Sequence, residues 1–289
     1  MCLVVYGIQA KSMNNQISKP ALLGIPFDAN SSYLRGAAEA PPLIRAALHS
    51  DSSNSWSETG VNLGEPGAFT DAGDLQLPED IGAFELVERA VAALLDKGHR
   101  PICLGGDHSV AYPILRAVGT RYPNLTIVQF DAHPDLYDEF QGSRFSHACP
   151  FARIMEERLA KKLIQIGIRT MVPHQRQQAE RFGVEVLGMH QLPALHALEL
   201  AGPVYISFDL DVLDPAFAPG ISHREPGGMS VREAINHLHA ITGYIVGADI
   251  VEYNPRQDIS QLTAMVAGRI LKEIMGKMIL ATDSADRQG

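Results

Sequence analysis

The chain has 289 residues, of which 46% are hydrophobic, and a formal net charge of −9 at pH 7. This length and composition are enough for one sizeable core, and we expect a single domain over residues 1–289. The acidic balance argues against a general nucleic-acid-binding protein or one that binds anionic membranes, and it favours cationic small molecules as ligands.

The chain ends and the cysteines suggest a location. The opening stretch MCLVVYGIQA is apolar, but it lacks a basic flank and is too short to span a bilayer, so no membrane segment is expected. Residues 1–18 and 281–289 are predicted to be a poorly ordered extension and tail. Cys2, Cys103 and Cys149 are odd in number and widely spaced, which fits neither a disulfide framework nor a cysteine zinc site. We therefore expect a reducing, cytoplasmic location.

Short apolar runs alternate with amphipathic stretches along most of the chain. This alternation predicts an α/β fold, with a mainly parallel central sheet between two layers of helices. Residues 49–70 are predicted to be one long surface excursion. The predicted strands cover 21–27, 100–106, 125–133, 162–168, 204–211 and 244–253, and the predicted helices lie near 84–97, 109–121, 174–182, 190–200, 231–241 and 259–276.

Four polar clusters stand at the predicted ends of strands. GGDHS follows PICL, DAHPD follows IVQF, DLD follows VYISF, and VEYNP follows IVGADI. Ligands of parallel sheets bind just beyond the carboxyl ends of the strands. We therefore expect these four clusters, which are far apart in sequence, to meet at one edge of the sheet.

The cluster DAHPD places Asp131, His133 and Asp135 at alternate positions. In an extended segment, alternate side chains share one face. Buried polar groups without partners would cost several kcal/mol each, so the pattern indicates a cation among them.

Together, the clusters offer two imidazoles and four carboxylates without a thiolate, which favours a hard or borderline divalent ion such as Mn²⁺. Six ligands suit two ions if some carboxylates bridge them. Such a pair would lower the pKa of bound water, and the remaining negative charge would attract a cationic substrate. The six are His108, Asp131, His133, Asp135, Asp209 and Asp211.

Each motif also has a structural explanation when taken alone. GGDHS fits a turn followed by a helix N-cap, with Asp107 or Ser109 as the capping residue. DLDVLDP has some likeness to a calcium loop, although the turn glycine and the terminal Glu of an EF-hand are missing. Three such motifs at three predicted strand ends favour the metal site.

GGDHS, DAHPD and SFDLDVLDP, in this order, resemble the metal motifs of the ureohydrolases, the family of arginases, agmatinases and their relatives. The resemblance runs from about LLGIPFDANSS to the final helix. GSRFSHACPFARIME and PAFAPGISHREPGG are similar to the arginase type of plants and some bacteria. The resemblance implies a three-layer α-β-α sandwich with two Mn²⁺ per subunit. His108 and Asp135 would then bind the first ion, His133 and Asp211 the second, and Asp131 and Asp209 both.

The same resemblance assigns two further catalytic roles beside that of the ligand Asp135. His147, in SHACPF, would be the proton-shuttling histidine, and its pKa range suits proton transfer near neutral pH. Glu252, in DIVEYNP, would hold the guanidinium of the substrate, because a carboxylate accepts two parallel hydrogen bonds from that planar group.

Other polar residues carry weaker predictions. Asp107 and Asp249 could orient metal-bound histidines, with capping or solvation as the alternative. Cys149 is interpreted as a small packed hydrophobe rather than a nucleophile. The candidates for the mouth of the substrate pocket are Asn30, Ser31, Ser32, Ser143 and His223.

The expected reaction is the hydrolysis of L-arginine to L-ornithine and urea, with agmatine or another guanidino acid as the alternative substrate. In animal-type arginases, an Asn- and Ser-rich stretch before the shuttle histidine grips the α-groups of arginine. Here that stretch contains Tyr137 and Phe145 instead, which keeps agmatine open. The resemblance also implies a homo-oligomer, either a trimer or a hexamer.

Three other classes of protein fit less well. A two-metal phosphoesterase would have its motifs in a different order. A single-zinc deacetylase would lack the full set of six ligands, and a non-catalytic homologue would usually have lost some of them. No P-loop or Gly-x-Gly-x-x-Gly motif is present, so no nucleotide cofactor is expected.

Overall fold

Eight parallel strands form one sheet in the order β2-β1-β3-β8-β7-β4-β5-β6. The structure is a computed structural model, which describes residues 18–194 and 198–286. Cys2 and most of the predicted extension lie outside the described residues. The strands are β1 (Pro20–Gly24), β2 (Thr70–Asp74), β3 (Arg100–Leu104), β4 (Thr126–Phe130), β5 (Lys162–Ile168), β6 (Glu185–Gly188), β7 (Pro203–Asp209) and β8 (Tyr244–Val251).

Seven α-helices of the described chain cover the two faces of the sheet. Alternate residues of each strand point to opposite faces, so each buried strand contributes to two apolar layers. Leu22 and Ile102 pack in one layer, and Leu23 and Cys103 pack in the other. The helices are α1 (Ala40–Leu48), α6 (Val231–Ala240) and α7 (Leu262–Asp286) on the first face, and α2 (Gly82–Asp96), α3 (Ala111–Arg121), α4 (Pro150–Glu156) and α5 (Pro173–Phe182) on the second. The predicted three-layer fold is confirmed.

The six predicted strands are present, and five of the six predicted helices are. The exception is the helix predicted near 190–200, which is wrong for its described part. Residues 189–194 form a 3₁₀-helix, with a proline at position 193, and 195–197 lie outside the described residues. The final helix continues to Asp286, into the segment expected to be a tail. Residues 287–289 lie outside the described chain.

The strands that carry the four polar clusters are neighbours. They are β3, β8, β7 and β4, in that order across the middle of the sheet. Since all four are parallel, their carboxyl ends open at one edge, as expected from the sequence. This edge is where the candidate site lies.

Candidate metal centre and substrate cleft

Backbone N–H groups hold the aspartates at the ends of β4 and β7. The amide of His133 donates to Asp131 Oδ1 at 2.6 Å, and the amide of Ala132 donates to Asp211 Oδ1 at 3.0 Å. Asp209 caps a short 3₁₀-helix by accepting from the amide of Asp211 at 2.7 Å. Each of these carboxylates therefore has one oxygen held by backbone and another facing the cluster.

The buried ring of His108 faces three of the aspartates. Its Nδ1 lies 3.1 Å from Asp131 Oδ2, 3.0 Å from Asp135 Oδ2 and 3.2 Å from Asp209 Oδ2. Ligand atoms around an octahedral ion with bonds of about 2.1 Å are separated by about 3 Å. This Nδ1 also has no hydrogen-bond partner among the described residues. The donor set therefore fits a metal ion.

A second group adjoins the first. His133 Nδ1 lies 2.9 Å from Asp211 Oδ2 and 3.6 Å from Asp131 Oδ1. Asp131 thus presents Oδ2 to His108 and Oδ1 to His133, as a bridging carboxylate would. The structure brings all six predicted ligands together, while their binding of metal remains a prediction.

Two of the clustered aspartates, Asp135 and Asp209, have raised pKa values when no metal ion is present. Burial, followed by the negative charge of Asp131, raises the pKa of Asp135 to about 7. Burial also raises the pKa of Asp209, with Asp211 adding to the effect. Burial alone would lower the pKa of His108, but the close carboxylates of Asp131, Asp135 and Asp209 outweigh it and raise that pKa. Added positive charge in the cluster would therefore favour the ionised forms of Asp135 and Asp209.

The other ring nitrogen of His108 is held through a hydroxyl. His108 Nε2 lies 2.9 Å from Ser207 Oγ, which donates to Asp249 Oδ1 at 2.7 Å. Because a carboxylate only accepts, Ser207 has an oxygen lone pair free for the Nε2–H of His108. In the neutral ring, this leaves Nδ1 as the unprotonated nitrogen that faces the cluster, which is the form in which it could bind a metal ion. Asp249 therefore orients a predicted metal ligand, as proposed, but it does so through Ser207, which the sequence reasoning missed.

Two buried amides support Asp131 from the other side. Gln129 Nε2 donates to Asp131 Oδ2 at 2.7 Å, and its Oε1 accepts from Gln165 Nε2 at 2.7 Å. Gln165 also donates to the carbonyl of Pro134 at 2.6 Å. The only sequence signal was a polar residue in each of two otherwise apolar strands, and the sequence reasoning did not use it.

These supports form one polar row across the sheet. Gln165 pairs in register with Gln129, Gln129 with Ser207, and Ser207 with Asp249. All four residues are fully buried. Since register partners point to the same face, the row underlies the whole width of the candidate metal centre.

Two site residues have unusual backbone angles. Asp135 has φ of 51° and Glu252 has φ of 63°, and few other non-glycine residues of the described chain have positive φ. This region costs of order 1–3 kcal/mol for such residues and is kept where the surrounding contacts impose it. At Glu252, the imposing contact is the amide hydrogen bond to the carbonyl of Gly106 at 2.9 Å.

His147 and Glu252 form a buried ion pair. His147 Nδ1 lies 2.8 Å from Glu252 Oε1, and this oxygen also accepts from the amide of His108 at 2.9 Å. Although burial opposes both charges, Glu252 raises the pKa of His147 to about 9, and His147 lowers the pKa of Glu252 to about 2. At neutral pH the imidazolium can therefore donate a proton.

Asp107 organises the loop that carries part of this pair. It caps a 3₁₀-helix by accepting from the amide of Ser109 at 3.0 Å, which confirms the capping alternative rather than a contact with a metal-bound histidine. It also accepts from the amide of Asn30 at 3.0 Å and from Ser31 Oγ at 3.4 Å. The carbonyl of Asn30 in turn accepts from the amide of His147 at 3.2 Å.

A cleft of about 150 Å³ opens over these groups. Of the predicted pocket residues, Ser32 and His223 line it. Asn30, Ser31 and Ser143 are not among the described lining residues, and their role at the mouth of the pocket stays a prediction. The side chain of Asn30 donates to Ser109 Oγ, Ser31 Oγ donates to Asp107, and Ser143 Oγ accepts from the amide of Phe145 within a turn.

The lining of the cleft also contains three hydrophobic residues that were not among the predicted pocket residues, Tyr137, Phe140 and Val172. Tyr137 and Phe140 pack with their ring centroids 4.9 Å apart. Phe145 packs elsewhere, against Phe84 with ring centroids 5.9 Å apart. Of the two aromatic residues that stand where animal-type arginases have polar ones, Tyr137 therefore lines the cleft and Phe145 does not. No Lys or Arg is among the described lining residues.

Cys149 is buried, and burial raises its pKa to about 12. A thiol with such a pKa has almost no thiolate at neutral pH, which agrees with its interpretation as a packed hydrophobe. Among the described residues, no helix has the length and hydropathy to cross a membrane.

Comparisons with known proteins agree with this geometry. The sequence model of the arginase family matches residues 18–276. The chain is 44% identical to "Arginase 1, mitochondrial" of Oryza sativa subsp. indica over 274 residues, which covers 89% of this chain and 81% of the relative. It is 33% identical to an agmatinase of Bacillus cereus over 267 residues, which covers 89% and 91% of the two chains.

The same relationship holds in three dimensions. The structure of arginase from Medicago truncatula matches with a TM-score of 0.87 at 41% identity, and the match covers 93% of this chain and 90% of that chain. Because the family match spans most of the chain and the fold agrees with it, this chain belongs to the arginase family and is a ureohydrolase.

Proposed function

We propose that the protein hydrolyses L-arginine to L-ornithine and urea with two Mn²⁺ ions in the six-residue cluster. The observation that carries the proposal is the ion pair of His147 and Glu252 in the same cleft as Asp135, Asp209 and Asp211. An anchor for a cation, a proton donor and a dense carboxylate cluster are what the hydrolysis of a guanidinium requires.

Glu252 binds the guanidinium. Its carboxylate is buried and already paired with a cation, the imidazolium of His147, so the cleft is built to hold positive charge at this point. A planar guanidinium can donate two parallel charge-assisted hydrogen bonds to one carboxylate, whereas an ammonium group acts as a point charge. Its strained backbone and its contact with the amide of His108 fix the carboxylate before substrate binds.

The six-residue cluster fits two divalent ions. When bound, they would lower the pKa of water and so supply a nucleophile at neutral pH. Asp131 faces both histidines, and Ser207 and Gln129 orient His108 and Asp131 through hydrogen bonds. Imidazole and carboxylate ligands without thiolate are consistent with Mn²⁺.

His147 completes the reaction by proton transfer. The oxygen of water adds to the guanidinium carbon, the bond from this carbon to the amine nitrogen breaks, and His147 gives its proton to the departing amine. The proton that the water loses restores the imidazolium of His147. A pKa raised to about 9 keeps the imidazolium populated at neutral pH. Its Nε2 lies 2.8 Å from Ser32 Oγ, which keeps the ring aligned with the cleft.

Arginine is preferred over agmatine because the more similar relatives carry the name arginase. A second candidate, agmatine, is favoured by the wall of Tyr137, Phe140 and Val172 and by the lack of a cationic side chain among the described lining residues. Urea release from both compounds, at equal concentrations with Mn²⁺ present, tests the choice. A higher kcat/KM for arginine supports the proposal, and a higher value for agmatine assigns the second function.

The compartment and the assembly belong to the same proposal. The described cysteines are free and buried, which suits a reducing compartment, and the cytoplasm stays our prediction. The rice relative has a mitochondrial name, so cell fractionation must separate these two locations. A homo-oligomer remains a prediction that light scattering can test.

A further inference from the structure

A second type of ligand cluster lies beside the candidate metal centre. His147, His223 and Glu252 each present one ligand atom, and these atoms lie within 4.8 Å of one another. His147 and Glu252 are buried, and His223 is partly buried at the mouth of the cleft. Two imidazoles and one carboxylate form a ligand set that zinc enzymes use, with a fourth position left for water or substrate.

The surrounding contacts fix which atoms point inward. Ser32 Oγ lies 2.8 Å from Nε2 of His147, so Nδ1 is the nitrogen that faces Glu252 Oε1, at 2.8 Å. The amide of His108 holds the same carboxylate oxygen at 2.9 Å. Two of the three ligands are thus already supported by neighbouring groups, as is usual for metal ligands.

His223 lies close enough to complete the set. Its ring centroid is 5.0 Å from that of His147 and 5.7 Å from that of Tyr33. Tetrahedral zinc with bonds of about 2.0–2.1 Å separates its ligand atoms by about 3.4 Å. A shift of the partly exposed His223 ring by about 1 Å to 1.5 Å would bring the cluster to that spacing.

We propose that a third divalent ion, Zn²⁺, binds to His147, His223 and Glu252 and inhibits the enzyme. Zn²⁺ would replace the proton that His147 and Glu252 share, and it would occupy the carboxylate that anchors the guanidinium. With its two imidazoles and single carboxylate, this set suits zinc better than the carboxylate-rich cluster does, and zinc binds nitrogen ligands more tightly than Mn²⁺. The binding rests on geometry alone, while its inhibitory effect rests on the proposed function.

The test adds Zn²⁺ to the protein loaded with excess Mn²⁺. We expect one equivalent of bound zinc with the manganese content unchanged, and an anomalous peak at the zinc edge between the three residues in crystals. Zinc that replaces manganese one for one, or a peak only within the six-residue cluster, would overturn the proposal.

The matched variants are His223→Phe, which keeps an aromatic ring without a ligand atom, and His49→Phe at an exposed position after α1. Relative to each variant's own uninhibited rate, His223→Phe should raise the zinc concentration for half-inhibition at least about tenfold. The His49→Phe protein should be inhibited as the wild type is. Equal inhibition of all three proteins, or an unchanged zinc peak in His223→Phe, would contradict the site.

These readouts separate the two proposals. Zinc content and the anomalous peak do not depend on turnover, so they decide the site even if His223→Phe is inactive. A protein that binds zinc between these three residues but releases no urea from any guanidino compound would refute the proposed function and support the zinc site.

Discussion

Ser32 Oγ lies 2.8 Å from Nε2 of His147, on the side of the imidazole ring away from Glu252. In the proposed mechanism, this hydroxyl aligns His147, the proton donor, with the cleft. In Ser32→Ala, we expect kcat to fall about fivefold, the equivalent of one hydrogen bond of about 1 kcal/mol, with a smaller change in KM. Steady-state urea release measures both.

Ser31→Ala is the control for that variant, because Ser31 Oγ faces Asp107 at 3.4 Å rather than the cleft. Its kcat should stay within about twofold of wild type, as for a weak hydrogen bond outside the site. Equal losses in the two variants would mean that the loop as a whole, and not the contact with His147, sets the rate.

Glu252→Gln tests the ion pair in the metal-free protein. Because Glu252 raises the pKa of His147 to about 9, the amide should bring that pKa down, and NMR titration of the imidazole with a chelator present measures it. The folded-state pKa lies above the unfolded value of about 6.5. The pair therefore stabilises the fold fully between about pH 4.5 and 6.5, loses this contribution as the pH rises through about 9, and also loses it as the pH falls toward the lowered pKa of Glu252, about 2.

The pH dependence of this stabilisation should be visible in unfolding experiments on Glu252→Gln. The difference in free energy of unfolding between wild type and Glu252→Gln should shrink between pH 6.5 and 9 in denaturant titrations. A constant difference would show that His147 does not titrate with Glu252.

With Mn²⁺ bound, kcat/KM of Glu252→Gln for arginine should fall severely, and an unchanged value would remove Glu252 from the mechanism.

Metal removal should abolish activity. We expect dialysis against a chelator to stop urea release and Mn²⁺ to restore it. Asp131→Asn should bind less than two equivalents of Mn²⁺, because Asp131 faces both His108 and His133. Atomic absorption measures the content, and Asp51→Asn, an exposed carboxylate, is the control. Full turnover in demonstrably metal-free protein would refute the scheme.

Gln129→Leu should weaken the metal centre without touching a predicted ligand. It removes the hydrogen bond to Asp131 Oδ2 and leaves Gln165 Nε2 without one of its acceptors. Loss of such a supporting contact typically costs 10–100-fold in metal affinity, so we expect the Kd for Mn²⁺ to rise by about that factor. Competition with a fluorescent chelator measures it. Gln177→Leu, at an exposed position on α5, should leave the affinity unchanged.

The cysteines of the described chain should be inert. Burial raises the pKa of Cys149 to about 12 and holds that of Cys103 well above its usual range, so the thiolate fraction at pH 8 is of order 10⁻⁴ for Cys149. Iodoacetamide followed by peptide mass mapping should modify these residues only after denaturation. Rapid labelling of Cys149 in the native protein, with loss of activity, would contradict this prediction and favour Cys149 as a nucleophile.

The sequence predicted that the polar clusters meet at one edge of the sheet, because two independent patterns agree there. Apolar runs located β3, β4, β7 and β8, and their polar continuations stood at the end where parallel sheets bind ligands. Elements with weak patterns were missed. β2 has the sequence TDAGD and is exposed throughout, and β6 has only four residues, so neither shows the apolar run of a buried strand.

The supporting residues could not be predicted because they depend on strand register. Gln129 meets Asp131 within one motif, but its pairing with Gln165 and the pairing of Ser207 with Asp249 join strands far apart in sequence. Hydropathy along one segment carries no information about such pairs. Phe145 shows the same limit: its position in the motif suggested the cleft, whereas its ring packs beside Phe84.

The polar row from Gln165 to Asp249 has a consequence for folding as well as for binding. A slip of one residue between β4 and its neighbours would turn Gln129 into the apolar layer of Val128 and Phe130. Its amide and those of its former partners would then be buried without hydrogen bonds, at about 1–3 kcal/mol each. Misaligned sheets are thus penalised by the same side chains that orient the candidate metal ligands, so a molecule able to bind ions at this site would also be one whose strands are correctly aligned.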